Sequence, residues 1–224
     1  VALDLAREHG VYNVTTTFLN PYAVEGDKLV GYELYEELGC MPQRVYVPVG
    51  AGPLLAGIGR GLDEYAGRDH LSCRARLIAV QAQGNSPIAQ AFDRGENQVH
   101  ANLCPDTIAG GIADGLVGYE QDGEYTLRLC RESGGAAMSV TDEQIRRAQA
   151  LLAREEGLFV EPSAAAALAG GLEDLRPAGC LGNHRGRAYR AWAQGHEVPA
   201  GRRSGQADQQ RCQYSRGAIL RIIP

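Results

Sequence analysis

Residues 44–59, RVYVPVGAGPLLAGIG, decide the fold class of this 224-residue chain. The stretch begins with an apolar run, breaks at two glycines and continues with apolar residues at helical spacing. This pattern predicts a buried strand over residues 45–49, a glycine turn, and a helix from residue 53 to about residue 65. The N–H groups and the positive dipole end at the start of a helix suit an anion such as phosphate. The turn is therefore the first candidate binding site.

The glycine spacing matches neither of the common nucleotide-binding motifs. No Gly-Lys-Ser/Thr follows the turn, as a P-loop requires. The G-x-G-x-x-G spacing of dinucleotide-binding turns also fails, because Leu55 stands where the third glycine belongs. Two interpretations remain open from these residues alone: an anion site, or tight packing between a strand and a helix.

Further apolar runs predict the rest of an α/β domain. Strands are expected over residues 77–81, 136–140 and 159–160, with an extended segment at 11–19. Helices are expected over residues 1–9, 24–38, 87–92, 107–116, 142–155 and 162–175. Thr141 and Gln144 form a capping box at the start of the helix at 142. Unbroken apolar strands that alternate with helices predict a parallel sheet with helices on both faces.

Composition excludes several classes of protein. The six cysteines include no C-x-x-C pair and the five histidines are dispersed, so we expect no metal site, no disulfide framework and a reduced, cytoplasmic setting. No apolar run approaches the length that spans a bilayer, so we expect no membrane segment. Residues 176–224 hold 9 basic and 2 acidic side chains, but they lack interleaved aromatic residues and a basic helical stripe. We therefore expect no nucleic-acid partner.

Several segments resemble the fold-type II pyridoxal-phosphate enzymes, and most closely the threonine synthases among them. VPVGAGPLLAGI (47–58) resembles their phosphate-binding loop. Other segments match in the family's order: NPYAVEGDKLVGYEL (20–34), IAVQAQGNSPI (78–88), TIAGGIADGL (107–116), ESGGAAMSVTDEQI (132–145) and EGLFVEPSAAAALAG (156–170). The similarity covers residues 10–175, and several ordered motifs are more specific than one loop.

The resemblance implies a domain organisation, a cofactor and a site. Residues 24–175 would form an incomplete tryptophan-synthase-β-like large domain, residues 1–23 a remnant of a smaller domain, and residues 176–224 an aberrant, poorly ordered tail. The cofactor would be pyridoxal 5'-phosphate, with its ring between the two domains and residues 107–111 lining the cleft. Its predicted ligands are Gly50, Ala51, Gly52, Pro53 and Leu54 around the phosphate, and Glu161 near the ring. On the residues alone, Glu161 is equally an exposed carboxylate at a strand end.

A lysine with the role that the family requires is missing from the sequence. In these enzymes a lysine upstream of the NPY segment holds the cofactor as a Schiff base and moves the proton on the substrate's Cα. The sequence starts after that position, so we expect no catalytic residue within it. Lys28, the only lysine, is expected to be a solvated surface charge.

The basic tail departs from the family pattern, which has a buried strand there. HRGRAYRAWAQGHE (184–197) is too polar for a core strand. Synonymous codons for this peptide, read one nucleotide later, encode TVVVLTGHGLKDM, which resembles the C-terminal motif of threonine synthases. We therefore hypothesise a shift of reading frame near residues 175–176.

The implied activity is that of a threonine synthase-like lyase. Such an enzyme takes a small amino-acid substrate, O-phosphohomoserine, eliminates phosphate and adds water to give threonine. The parent enzyme is expected to be a homodimer, and this fragment alone is expected to be inactive. A threonine or serine ammonia-lyase of the same fold is one alternative, and a non-catalytic module that binds an anion or a partner is another.

Overall fold

The computed structural model describes residues 8–12, 14 and 18–174. Its sheet has three parallel strands in the order β1 (Arg44–Pro48), β2 (Arg76–Ala82) and β3 (Ala136–Val140). Val80 of the central strand lies between Pro48 of β1 and Met138 of β3. Because the strands are parallel, their carboxyl ends meet at one edge of the sheet, where open α/β sheets bind their ligands.

Helices connect and cover the strands. In chain order they are α1 (Pro21–Leu38), α2 (Pro53–Arg68), α3 (Pro87–Asp93), α4 (Glu120–Glu132), α5 (Asp142–Glu155) and α6 (Pro162–Asp174). The predicted capping box is confirmed at α5: Gln144 N–H donates to Thr141 Oγ1, and Thr141 N–H donates to Gln144 Oε1. No described helix is long and apolar enough to cross a membrane.

Apolar side chains cover both faces of the sheet, which confirms the predicted α/β class. On one face, side chains of α1, α2 and α4 pack against Val47 and Ala79. On the opposite face, side chains of α5 and α6 pack against Ile78 and Val80. Successive residues of β2 therefore serve two cores, and for this reason the strand is a continuous apolar run rather than an alternating one.

The helix predicted over residues 107–116 is wrong. Within that range, Gly110–Ile112 forms a single 3-10 turn, and the rest has no regular structure. Hydrogen bonds to other elements replace those of a helix. The carboxylate of Asp142 accepts from the Thr107 hydroxyl at 2.6 Å and from the Ile108 N–H at 3.1 Å.

Two further elements differ from expectation. Residues 159–160 are not a strand, and Phe159 is 92% exposed. Helix α4 was not predicted, because its buried face includes Asp122, Gly123 and Thr126 and so lacks a clear apolar period. The predicted helix at 1–9, the extended segment at 11–19 and the tail from residue 175 lie wholly or partly outside the described residues.

The described cysteines do not all carry free thiols. Cys73, Cys104 and Cys130 are free, whereas Cys40 is disulfide-bonded. The reduced setting predicted from the cysteine spacing therefore does not hold at Cys40. Burial raises the pKa of the Cys130 thiol to about 11, so this group stays protonated and packs as a small apolar side chain.

Glycines let α1 approach α2 closely. A Cβ on Gly61 of α2 would lie 2.5 Å from the carbonyl oxygen of Lys28, and one on Gly31 of α1 would lie 2.6 Å from that of Ile58. Both contacts are too short for any side chain. Gly57 and Gly61 therefore allow α2 to pack against α1, whereas Gly50 and Gly52 form the turn before α2.

Gly61→Ala is expected to lower the free energy of unfolding by about 1–3 kcal/mol, because the new methyl group would push α1 away from α2. Gly67→Ala is the matched control, since nothing lies within 4 Å of its Cβ position near the end of the same helix. This control should stabilise the protein by about 0.5–1 kcal/mol through helix propensity. Urea denaturation measures both values, and similar effects of the two substitutions would contradict the close crossing.

Candidate functional site

The glycine turn lies at the carboxyl end of β1, directly before α2. Gly52 is the N-cap of the helix with φ of 112°, and Pro53 is its first residue. Ala51, Gly52 and Pro53 are all buried. The first N–H groups of an α-helix have no partner within the helix. The turn therefore offers N–H donors and the positive end of a 16-residue helix in surroundings that exclude most water.

Helix α4 leaves no room for a side chain at Gly52. A Cβ at this position would lie 2.1 Å from Thr126 Oγ1 and 2.9 Å from Thr126 Cβ. The positive φ also disfavours any residue with a side chain. Glycine is required here for two independent reasons: the close approach of Thr126 and the positive φ of the backbone.

A second wall of the site is the segment 110–114. The side-chain amide of Asn85 holds it by donating to the Ile112 carbonyl at 3.0 Å and to the Asp114 carbonyl at 2.9 Å. A Cβ on Gly50 would lie 3.0 Å from the Cβ of Asp114, so the segment packs directly against the turn. Asn85 thus joins two loops at the carboxyl edge of the sheet.

Glu161 lies directly before α6 and contacts the same segment. A Cβ on Gly111 would lie 3.1 Å from Glu161 Oε1, and the Gly111 N–H donates to Ser163 Oγ at 2.8 Å. The turn and Glu161, which sequence analysis singled out separately, therefore both border segment 110–114.

Asp114 lies beside the turn, and Asp122 lies one helical turn before Thr126 in α4. Asp114 accepts hydrogen bonds from the Tyr119 hydroxyl at 2.5 Å and from the Leu116 N–H at 3.0 Å. Asp122 is buried, and its Oδ2 has no hydrogen-bond partner among the described residues. Burial, and to a lesser extent the charge of Asp114, raise the pKa of Asp122, which favours its neutral form.

Lys28 lies between α1 and α2 rather than standing free in solvent. Its Nζ is 2.6 Å from Glu25 Oε2 and 2.8 Å from Glu64 Oε1. Hydrogen bonds to these carboxylates raise the pKa of Lys28 above its ordinary value, so the amine stays protonated. A protonated amine is not a nucleophile. The single lysine of the sequence is therefore an ion-pair partner in helix packing.

A family model described as "Pyridoxal-phosphate dependent enzyme" matches residues 1–185. This chain belongs to that family. The threonine synthase of Methanocaldococcus jannaschii is 35% identical over 168 residues, and that of Methanosarcina acetivorans is 36% identical over 165 residues. These alignments cover 75% and 73% of this chain and 40% of each relative. The chain thus spans less than half the length of these threonine synthases.

Solved structures confirm the fold-type II class that the resemblance implied. Threonine deaminase isoform 2 of Solanum lycopersicum superposes with a TM-score of 0.60 at 26% identity, covering 75% of this chain and 45% of that one. A fungal L-serine ammonia-lyase from Rhizomucor miehei superposes with a TM-score of 0.56 at 26% identity, covering 70% of this chain and 47% of that one. Both likenesses extend over more than two thirds of this chain and less than half of the neighbour.

Pyridoxal 5'-phosphate is the cofactor of this family, and the residues present fit its phosphate group. The fit rests on the first N–H groups of α2, which have no partner within the helix, and on the glycine turn that leads directly into them. Sequence analysis missed Gln81, Asn85 and Thr126, which hold the loops around this position. Gln81 was detectable in principle, because it is a polar residue within a buried apolar strand.

Gly52→Ala is expected to weaken the binding of pyridoxal phosphate at least ten-fold, because its methyl group would displace α4 and reorient the turn. Gly95→Ala is the matched control: it also has a positive φ, of 69°, but nothing lies within 4 Å of its Cβ position. Calorimetric titration with the cofactor measures both affinities. Equal losses of affinity in the two variants would attribute the effect to backbone strain. That result would contradict a phosphate site that depends on the packing at Gly52.

Proposed function

We propose that the protein is a threonine synthase-like lyase, in which O-phosphohomoserine and water give threonine and inorganic phosphate. The observation that supports this reaction best is the 35–36% identity to threonine synthases, which runs over three quarters of the chain. Because the chain spans only 40% of those relatives, the reaction is proposed for the whole enzyme to which these residues contribute.

The turn is proposed to hold the cofactor phosphate. Gly50, Ala51, Gly52, Pro53 and Leu54 would surround it, with N–H groups as hydrogen-bond donors and the dipole of α2 stabilising its charge. When bound, pyridoxal phosphate supplies an electron sink that stabilises negative charge at the substrate's Cα. The burial of Ala51, Gly52 and Pro53 keeps water from competing for the same donors.

Segment 107–111 and Glu161 are proposed to face the substrate side of the cleft. The Gly111 N–H already donates to Ser163 Oγ, so this part of the segment is held in place without ligand. Glu161 lies beside it and would orient polar groups near the cofactor ring. Lys28 has no role in this proposal, because two carboxylates hold its amine in the protonated form.

The proposed domain division assigns residues 24–175 to the large cofactor-binding domain and residues 1–23 to a remnant of the smaller one. The packing of α1 on α2 supports the first assignment, because it joins the start of this region to the glycine turn. The proposed shift of frame near residue 175 concerns residues outside the described range, and sequencing of the encoding DNA tests it.

A hydroxy-amino-acid ammonia-lyase is the second candidate. The superposition on threonine deaminase isoform 2 of Solanum lycopersicum, with a TM-score of 0.60, favours it. Both reactions need a proton to leave the substrate's Cα before the side chain loses its leaving group, so the same phosphate turn would serve either. They differ in their products.

Product analysis separates the candidates. The whole enzyme to which these residues contribute is incubated with pyridoxal phosphate and, in separate reactions, with O-phosphohomoserine, threonine or serine. The proposal predicts that phosphate and threonine appear in equal amounts from the first substrate. Release of ammonia from threonine or serine without phosphate release would favour the ammonia-lyase, whereas cofactor binding without any product would favour the binding module.

A further inference from the structure

A fully buried glutamine links the glycine turn to the next helix. Gln81 lies in β2 and is completely inaccessible to solvent. Its Nε2 donates to the carbonyl oxygens of Val49 and Gly50, both at 3.4 Å. Its Oε1 accepts from the N–H groups of Ile88 and Ala89 in the first turn of α3, at 2.9 and 3.1 Å. One side chain thus uses both ends of its amide to join two loops of the site.

A fully buried threonine binds the next carbonyl of the turn. Thr126 of α4 has no solvent exposure, and its hydroxyl donates to the Ala51 carbonyl oxygen at 2.6 Å. Its methyl carbon would lie 2.6 Å from a Cβ on Gly52, so the whole side chain rests against the turn. The donor is a hydroxyl and the acceptor is a backbone carbonyl, so this hydrogen bond joins two neutral groups.

These bonds determine where the N–H groups of the turn point. The described peptide bonds are trans, so each carbonyl and the N–H that follows it point in opposite directions. The carbonyls of Val49, Gly50 and Ala51 are all bound from the protein interior. The N–H groups of Gly50, Ala51 and Gly52 consequently point away from the side chains of Gln81 and Thr126.

We propose that Gln81 and Thr126 are positioning residues, which fix the peptide planes of the turn so that three successive N–H groups face the cofactor phosphate. The inference rests on the proposed phosphate site and adds the residues that shape it. Stability alone does not explain these side chains, because apolar residues of the same size in the interior avoid the cost of burying polar groups. Gln81 and Thr126 instead donate hydrogen bonds to carbonyl oxygens of the turn.

Thr126→Val tests the inference most cleanly, since it keeps the shape of the side chain and removes its donor. Thr126→Ser keeps the donor and should restore the wild-type behaviour. Ser133→Ala is the matched control: its hydroxyl donates to the Cys130 carbonyl at 2.8 Å and accepts from the Leu77 N–H, near the opposite edge of the sheet. If Thr126→Val does not fold, Thr126→Ala takes its place, because it removes the donor without adding bulk.

Two measurements are made on each variant. Residual dipolar couplings in the ligand-free protein report the orientation of each N–H bond, and calorimetric titration gives the affinity for pyridoxal phosphate. In Thr126→Val we expect changed couplings at Gly50, Ala51 and Gly52 and affinity about ten-fold lower, the usual cost of one hydrogen bond. Thr126→Ser should match the wild type, and Ser133→Ala should leave both measurements unchanged.

Unchanged couplings in Thr126→Val, or equal changes in Ser133→Ala, would overturn the positioning role. Absence of cofactor binding by the wild type would contradict the proposed phosphate site instead. The dipolar couplings are measured without a ligand, so they report the orientation of the N–H groups even if the wild type binds no cofactor. The two failures are thereby distinguished.

Discussion

The contact between Gly52 and Thr126 constrains the whole candidate site. It places α4 directly against the turn between β1 and α2, at a distance that no side chain on residue 52 would permit. The Thr126 hydroxyl also donates a hydrogen bond to the Ala51 carbonyl oxygen at 2.6 Å. The same side chain therefore both packs against the turn and bonds to it. The contact therefore restricts the backbone of the turn at Ala51 and Gly52 and fixes α4 beside it.

Other parts of the fold depend on that conformation. Helix α2 is held on its far side by α1, through glycines that allow backbone contact. The loops after β2 reach the turn through Gln81 and Asn85, whose amides donate to carbonyls of both walls. The carboxyl edge of the parallel sheet is thus a set of loops joined by buried amides and hydroxyls. Such an edge can hold an anion in a defined geometry without a charged side chain at the phosphate position.

Local signals in the sequence predicted the central elements. The apolar run, the glycines and the proline of residues 44–59 identify β1, the turn and α2, because each feature acts within a few residues. The capping box of Thr141 and Gln144 is local in the same way, and the structure has it as predicted. Resemblance to the fold-type II enzymes added the cofactor and the order of the loops.

Contacts between distant residues explain what the sequence did not reveal. Segment 107–116 has apolar spacing typical of a helix, but bonds from Asp142 and Asn85 hold it as a loop. Helix α4 buries Asp122, Gly123 and Thr126 beside Leu127 and Cys130, so polar residues and a glycine interrupt the apolar spacing of its inner face. The role of Gln81 depends on four partners in other segments, none of which can be inferred from its neighbours in β2.

The most direct test of the phosphate site is to titrate ¹⁵N-labelled protein with pyridoxal phosphate and to follow its amide resonances. The site described above predicts that the largest shifts occur at Gly50, Ala51, Gly52 and Leu54, with smaller ones in segment 110–114. The same resonances should move with inorganic phosphate at higher concentration, because the phosphate group provides the contact. Shifts centred instead on the arginines at the amino edge of the sheet, Arg44, Arg74 and Arg76, would contradict a phosphate site in the glycine turn.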